Sequence, residues 1–368
     1  MSSGMDLSAK GIHATNAKGP FEATSFTRHQ PGPKDVVLSV KYCGVCHSDV
    51  HAAKDDPSPE KFPVMPGHEI AGVVDWVGSE VTKLKPGDHV GVGCMVDSCL
   101  DCEFCKLSNE QYCANGCTMT YGGEPKHGRA GSETTRGGYS TKMVVTEHFC
   151  VKVPKDLPLE VVGPILCAGV TVFDPLVHWK AGSEHVKHVG IAGGGGLGHM
   201  GIKLAKSLGC EVTAITSSPK KVDALRELGA SRVIVSSDEG AMKGAAKSLD
   251  LIINTISAPH DIMMYHALLR PNGTLVQLGL VGKPHSVCQV PMLMSRAGIS
   301  GSLIAGMKAT QELIEICTRD KIWPSVEVVH CNQIDRIYDE LMSKSSMPKR
   351  YVLDVANTMD EYCSQKQQ

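Results

Sequence analysis

Cys99, Cys102, Cys105 and Cys113 fall within one short segment, DSCLDCEFCKLSNEQYC, with the spacing C-x2-C-x2-C-x7-C. Four thiolates so close in sequence complete the tetrahedral shell of one Zn²⁺ and leave no position for a substrate, so this lobe is expected to hold a structural zinc. A catalytic metal must then be held elsewhere. The chain offers a second group of ligand-type residues: Cys46 in KYCGVCHSDVH, the pair His68-Glu69 in MPGHEIAG, and Cys167 in PILCAGVTVF. Two thiolates and an imidazole supply three zinc ligands and keep the fourth position for water or substrate. Taken singly, each has a bland reading, since a lone buried Cys is usually a small core residue. The joint case is stronger because the four-cysteine lobe and a nucleotide motif share the chain.

That motif is Gly193, Gly195 and Gly198 in G-x-G-x-x-G, with Gly196 and Leu197 inside it, between the apolar run HVGIA and the helical pattern HMGIKLAKSLG. Such glycines allow a tight turn and close backbone approach to a pyrophosphate, to which the helix N-terminus presents free N–H groups. The alternative is a packing turn without a ligand. The end of the next strand selects the nucleotide. NAD sites place Asp or Glu about 20 residues past the glycines, on the ribose hydroxyls. Here EVTAIT runs into Thr216, Ser217, Ser218, Pro219, Lys220 and Lys221, with no carboxylate. Hydroxyls and lysines suit the 2′-phosphate of NADP. Ser218 before Pro219 also reads as an ordinary helix start, and the two roles are compatible.

The elements that must position these residues change character along the chain. Up to about residue 150, DVVLSVKYCGVC, EIAGVVDWVGSEV and HVGVGCMV read as strands joined by Gly/Pro turns, a β-rich, barrel-like unit carrying both metal segments. From about residue 185, strands alternate with helices, which implies a parallel sheet covered on both faces. ATQELIEICTRDK is a further helix, and the last strand, RYVLDVAN, is expected to return to the first domain. The loop TYGGEPKHGRAGSETTRGGYS is long and polar, and reads either as a pocket border or as a surface loop.

A chain of 368 residues suggests two domains, and 42% hydrophobic with 21% charged residues can build real cores. The net charge of -2 opposes the basic face of a nucleic-acid binder. The start, MSSGMDLSAK, is polar, no apolar run of about 18 residues is apparent, and neither export nor a membrane span is expected. Fifteen cysteines without an export signal suggest metal thiolates in a reducing compartment, so the protein is expected to be cytoplasmic.

Taken together, CGVCHSDVH, PGHEIAGVV, the lobe with EQYC, LCAGVTVF, AGGGGLGHMGIKLAK, TSSPKK and KRYVLDV resemble the zinc-dependent medium-chain dehydrogenases/reductases, in particular the cinnamyl alcohol dehydrogenase branch with its broad-specificity NADP-dependent aldehyde reductases. The resemblance implies an α/β plus β fold. A GroES-like β-barrel catalytic domain (1–158 and 297–368) would be interrupted by a Rossmann domain with a doubly wound parallel sheet (159–296), usually as a homodimer. It assigns Cys46, His68 and Cys167 to catalytic zinc, with Glu69 a ligand that exchanges with water and Asp49 orienting His68. Two Zn²⁺ per chain and NADP(H) follow. Ser48 and His51 resemble a proton relay linked through the nicotinamide ribose, a task within reach of a hydroxyl and an imidazole. His47 and Arg350 resemble pyrophosphate contacts, and Thr171 a contact to the nicotinamide face. Gly279-Leu280-Val281 and Ser302-Leu303-Ile304 resemble segments around the nicotinamide and the pocket. Cys43, Cys94 and Cys117 receive no metal role and read as buried small apolar residues.

The activity so implied is reversible hydride transfer between NADP(H) and primary alcohol/aldehyde pairs. Plant lignin-forming relatives place a Trp and a Phe where Met119 and Leu303 fall here, so a range of aromatic and medium-chain aldehydes is expected instead of one phenylpropanoid. An NAD-dependent alcohol or polyol dehydrogenase would need an acidic residue near Thr216. A crystallin-like protein that binds cofactor without chemistry would be expected to have lost zinc ligands.

Overall fold

The β-branched, Gly-punctuated first part of the chain becomes a series of short strands in the computed structural model, which describes residues 5–54, 62–127, 133–343 and 350–366. Residues 128–132 of the long polar loop, read as a pocket border or a surface loop, lie outside the described residues. The chain forms two units, residues 1–167 with 306–368, and residues 168–305. These boundaries lie further along than the expected 158/159 and 296/297. The helix that starts at Leu159 packs its first turns on strands of the first unit, and the strand Gly298–Gly301 joins the parallel sheet of the second.

In the first unit, β1 (Ser8–His13) and β2 (Glu22–Thr27) pair antiparallel. β3 (Asp35–Gly44), β4 (Glu69–Val77) and β5 (His89–Val92) form an antiparallel run. β6 (Met95–Asp97) pairs β7 (Thr118–Met119), while β8 (Lys142–Thr146) pairs β3 and β9 (Val151–Val153) pairs β5. The β3–β4 register sets Gly44 opposite Glu69, so the chain just past β3 and the chain just before β4 emerge side by side. Two of the separated candidate ligand segments meet there.

The second unit has β10 (His188–Ala192), β11 (Glu211–Thr216), β12 (Arg232–Val235), β13 (Leu249–Asn254), β14 (Leu269–Gln277) and β15 (Gly298–Gly301). All pair in parallel, in the order β12-β11-β10-β13-β14-β15. This is the doubly wound dinucleotide order, whose direction reverses between β10 and β13, and ligands bind beyond the carboxyl ends of the strands at such a switch point. One core cluster is Ile, Leu and Ala from the strands, as in Ile252, Leu275 and Ala192, packed with Ile262, Tyr265 and Leu268.

The chain then returns to the first unit. β16 (Val326–Val329) lies parallel to β17 (Arg350–Asp354), and β17 pairs antiparallel with β3, completing a seven-stranded sheet. The last strand thus enters the sheet of the first unit, as its lack of local partners implied.

The expectation that no stretch is long and apolar enough to span a membrane needs correction. Helix Leu159–His178 passes that test by length and composition. However, 78% of its apolar window is buried inside the protein, where the stretch is a core helix. It was missed because Glu160, Asp174 and two prolines interrupt the run.

The cysteine lobe is fastened to this scaffold by Glu110, which is 1% exposed. One carboxylate oxygen accepts from His148 Nε2 at 2.7 Å, the other from the backbone N–H of Met307 at 2.9 Å, in the first turn of helix Met307–Asp320. A carboxylate is favoured at that positive end. The approach is so close that a Cβ on Gly306 would stand 1.7 Å from the Ser108 carbonyl oxygen. Burial works against the charged form of Glu110, but these donors outweigh it and hold the carboxyl below its ordinary value. The resulting stabilisation is present above the unfolded-state carboxyl value and is lost as pH falls through the lower folded value. Glu110→Gln should therefore lower the thermal midpoint near neutral pH and flatten its decline in the acid range, as read from melting curves against pH.

Candidate active site and metal centres

Cys46 follows β3 and precedes helix His47–Lys54, and His68 precedes β4, whose first residue is Glu69. Cys167 comes from a π-turn, Ile165–Gly169, inside the long apolar helix. Such widened turns are rare and are frequent at functional sites. Ligand atoms of Cys46, His68, Glu69 and Cys167 all lie within 4.8 Å of one another, and all four residues are buried. The two sulfurs are 3.6 Å apart, and His68 Nε2 is 3.3 Å from Cys167 Sγ.

Asp49, fully buried in the first turn of helix His47–Lys54, ties the two ligand segments together. It accepts from the backbone N–H of Cys46 at 2.8 Å and that of Gly67 at 3.0 Å. Its Oδ1 is also 3.1 Å from His68 Nδ1. An ionised carboxylate only accepts, so the proton is assigned to Nδ1 and the Nε2 lone pair faces the sulfurs. Burial disfavours a charged His68, but Asp49 and Cys94 reverse this and raise its pKa well above ordinary. The contact with Cys167, aided by Arg350, holds the Cys46 thiol well below its ordinary value.

Glu69 is fully buried, and its Oε1 accepts from Arg350 Nη1 at 3.3 Å. Burial, opposed by Arg350, pushes its pKa up to about 7. Its Oε2 has no hydrogen-bond partner among the described residues. A buried carboxylate oxygen without a donor, beside two thiols and an oriented imidazole, fits a divalent zinc ion. Arg350, expected at a pyrophosphate, is half-buried on β17 and pairs with Glu69, and its Nε has no hydrogen-bond partner among the described residues.

Ser48 and His51 lie one helical turn apart, and Ser48 Oγ is 3.8 Å from Cys46 Sγ. His51 Nδ1 is buried with no partner among the described residues, and its ring meets that of His47 edge-on at 5.2 Å. One neighbour escaped the sequence reading, and another does more than expected. Tyr121 sets its ring 5.7 Å from that of His68, and burial with Asp49 nearby pushes its phenol well up. No spacing signal marks a single Tyr in a polar loop. Cys94 is buried as expected, but its thiol also interacts with Cys167, which a purely apolar reading omits.

In the lobe, the Sγ atoms of Cys99, Cys102, Cys105 and Cys113 also lie within 4.8 Å of one another. Backbone N–H groups of Asp101 and Cys102 point at Cys99 Sγ, at 3.5 and 3.3 Å, and bring that thiol down to about 5. The N–H of Ala114 serves Cys102 in the same way at 3.4 Å. Burial pushes Cys105 the other way, up to about 12, but four clustered sulfurs, two of them eased towards thiolate by the backbone, fit a closed tetrahedral zinc site. Cys117 stands outside this set, with its thiol on the Gln111 carbonyl, and Cys43 is buried packing.

In the second unit, Gly193 follows β10 with a φ of +104° that suits glycine, and helix Gly196–Ser207 comes next. A Cβ on Gly198 would stand 1.9 Å from the Gly193 carbonyl oxygen, whereas one on Gly195 would meet nothing within 4 Å. The turn is therefore closed on its protein side and open at the helix N-terminus, as a phosphate cradle requires. Leu197 lies in the helix's first turn. Thr216 ends β11 and accepts from the Ser218 N–H at 3.2 Å, and Lys221 Nζ reaches back to the Gly194 carbonyl at 3.3 Å. The Ser218 side chain makes no capping bond, so its hydroxyl is not spent on the helix start. Burial, reinforced by Lys221 and Lys203, lowers His199 to about 4, so it is neutral beside this turn.

Thr171 is half-buried in helix Val170–His178. Gly279-Leu280-Val281 follow β14, and Ser302, whose N–H donates to the Gln277 carbonyl at 3.3 Å, follows β15. Ile304 has a positive φ of 38°, uncommon for a β-branched residue. Met119 and Leu303 are 40% and 47% exposed in their separate units.

The model of the alcohol dehydrogenase GroES-like domain matches residues 32–155, and that of the zinc-binding dehydrogenases matches residues 196–319. The chain is 43% identical to NADP-dependent alcohol dehydrogenase C 1 of Mycolicibacterium smegmatis, over 94% of this chain and 97% of that protein. The structure of a cinnamyl alcohol dehydrogenase from Sorghum bicolor superposes with a TM-score of 0.89 at 39% identity, over 95% of this chain and 98% of that one. CAD from Helicobacter pylori, complexed with NADP(H), gives 0.87 at 35% identity, over 96% and 100%.

Asp49→Asn exchanges a carboxylate that only accepts for an amide that also donates, and misorients His68. Metal affinity at the Cys46–His68–Cys167 set should fall about 10–100-fold, the usual cost of losing such an orienting partner. The lobe should keep its zinc. Metal content per chain after graded chelation checks both expectations.

Proposed function

We propose, from the premise that this chain belongs to the zinc-binding alcohol dehydrogenase family with a GroES-like domain, that it exchanges hydride between NADP(H) and primary alcohol/aldehyde pairs, both aromatic and medium-chain. It is an enzyme, an alcohol dehydrogenase. The observation that carries the cofactor choice is the end of β11. Thr216, Ser217, Ser218 and Lys221 stand there without a carboxylate, and the Ser218 hydroxyl is uncommitted. That group suits a 2′-phosphate and lacks the acidic residue that favours NAD. Met119 and Leu303, apolar and without an aromatic ring, support a broad range of substrates.

Cys46, His68 and Cys167 would hold the catalytic zinc, with Glu69 able to take or leave a ligand position, and the four-cysteine lobe would hold a second ion. Bound there, zinc supplies Lewis acidity that polarises a carbonyl oxygen and steadies the alkoxide charge formed on reduction. NADP(H) supplies or accepts the hydride. The chain's own residues do the rest. Asp49 keeps the His68 lone pair aimed at the site. Arg350 holds one Glu69 oxygen and leaves the other uncommitted. Ser48, beside Cys46, gives a proton to the reduced oxygen and is resupplied from His51, whose Nδ1 has no partner among the described residues. In alcohol oxidation the proton runs the other way.

The finer assembly is proposed as a homodimer. β15 is a free sheet edge, and helix Gln289–Ser295 buries no residue of its own, with Leu293 and Met294 79% and 83% exposed. An open edge beside exposed apolar side chains is what a second copy would cover. Thiolate ligands need reduced cysteines, which the cytoplasm supplies.

Initial rates of cinnamaldehyde and hexanal reduction should favour NADPH over NADH, and Lys221→Ala should cut that preference about tenfold, the scale of one charge-assisted hydrogen bond. Preference for NADH by the unaltered enzyme contradicts the cofactor assignment. His51→Gln should slow turnover near neutral pH by up to about a hundredfold, the low end of what a positioned proton-transfer group contributes, with partial recovery in imidazole-type buffers. An unaltered pH–rate profile removes His51 from the relay.

A further inference from the structure

Asn254 ends β13 with no exposed surface, at the carboxyl edge of the parallel sheet. Its side-chain oxygen faces the backbone N–H of Ile256 at 3.2 Å. Because that N–H only donates, the amide orientation is settled: Oδ1 accepts, and Nδ2 carries two protons away from it. One goes to Gln277 Oε1 at 2.8 Å, the other to His260 Nε2 at 2.8 Å. His260 Nε2 must then be the bare nitrogen of the ring, and its Nδ1–H donates to the Ala258 carbonyl at 2.7 Å. The ring meets Tyr265 and His285 edge-on at 5.5 and 5.0 Å, on the wall of a cavity also lined by Asp261, Val281 and Lys283.

One amide therefore holds both segments that leave the sheet here. Its oxygen holds Ile256 after β13, and its nitrogen holds Gln277 at the end of β14. The Asn254 backbone carbonyl takes the N–H groups of Leu278 and Gly279 at 2.9 and 3.2 Å. Hydride transfer to or from a nicotinamide depends on its ring being held in one orientation.

We propose that His260 is a positioning residue for the cofactor. As a hydrogen-bond acceptor it locks the Asn254 amide, and thereby Thr255–Ile256, which packs against Gly193 of the glycine turn, and Leu278–Val281, which includes the segment that resembles a nicotinamide border. The inference rests on the cofactor reading above. A residue at 260 with no acceptor leaves a buried N–H of Asn254 unpaired, the amide turns to find another partner, and cofactor binding must restore the order that was lost.

The test compares His260→Phe, which keeps a flat ring against Tyr265 and His285, with His260→Gln, which keeps an acceptor. NADPH dissociation constants come from cofactor fluorescence, and kcat and KM from cinnamaldehyde reduction. His260→Phe should weaken NADPH binding about tenfold, the scale of one buried donor left unpaired, with the loss falling on KM for NADPH rather than on kcat. His260→Gln should restore most of the affinity. NADPH bound as tightly by the Phe variant as by the unaltered enzyme, or as weakly by Gln as by Phe, overturns the proposal. Gln277→Met removes the other acceptor of the same amide and serves if the Phe variant does not fold; it must weaken NADPH in the same way, and unchanged affinity overturns the proposal. An unaltered enzyme that binds no NADPH overturns the cofactor reading as well, whereas NADPH binding indifferent to these variants overturns this inference alone.

Discussion

The carboxylate of Asp49 joins the two chain segments that carry Cys46 and His68, and the candidate centre depends on it. Burying an ionised carboxylate costs several kcal/mol unless donors satisfy it. Here three do: the N–H of Cys46, the N–H of Gly67 and the His68 imidazole. The arrangement is possible because the β3–β4 register brings Gly44 opposite Glu69, so both segments emerge within reach of one side chain. The π-turn then adds Cys167 from a third direction. Sheet register, one buried acid and one irregular helical turn convert residues far apart in sequence into a single ligand set.

The two thiolate sets are prepared by different physics. In the lobe, the donors to sulfur are backbone N–H groups a few residues away, such as those of Asp101 and Cys102 on Cys99. That preparation is local and travels with the loop. At the other set the charges acting on Cys46 come from Arg350 and His68, brought by separate strands. The local set is closed, as a structural ion requires. The non-local set keeps an unsatisfied Glu69 oxygen, which gives it room to change ligands.

This difference also governs what could be read from the sequence. The lobe and the glycine turn were legible because spacing encodes them directly: C-x2-C-x2-C-x7-C closes on one ion, and strand–turn–helix frames G-x-G-x-x-G. Cys46, His68 and Cys167 have no common spacing, and only their joint occurrence with a familiar family pattern singled them out. The return of RYVLDVAN to the first sheet was legible because no local partner existed for it. The pairing of Arg350 with Glu69 was not, since it follows from tertiary register. Tyr121 and the His260–Asn254 contact rest on single side chains whose types carry no signal. The apolar helix from Leu159 was misjudged because its charges and prolines hid a stretch that burial makes continuous.

The position of β17 bears on the order in which a growing chain can assemble. Residues 168–305 form one uninterrupted stretch, and so does the cysteine lobe; both can complete their contacts while synthesis continues. The sheet of the first unit cannot, because β17 lies between β16 and β3 and carries the guanidinium that neutralises Glu69. Until the ribosome has released residues 350–354, β3 lacks that neighbour and Glu69 is a buried acid without its cation. The cluster of Cys46, His68, Glu69 and Cys167 thereby gains its last neighbour only once β17 has been made, after residues 168–305 have had the opportunity to fold.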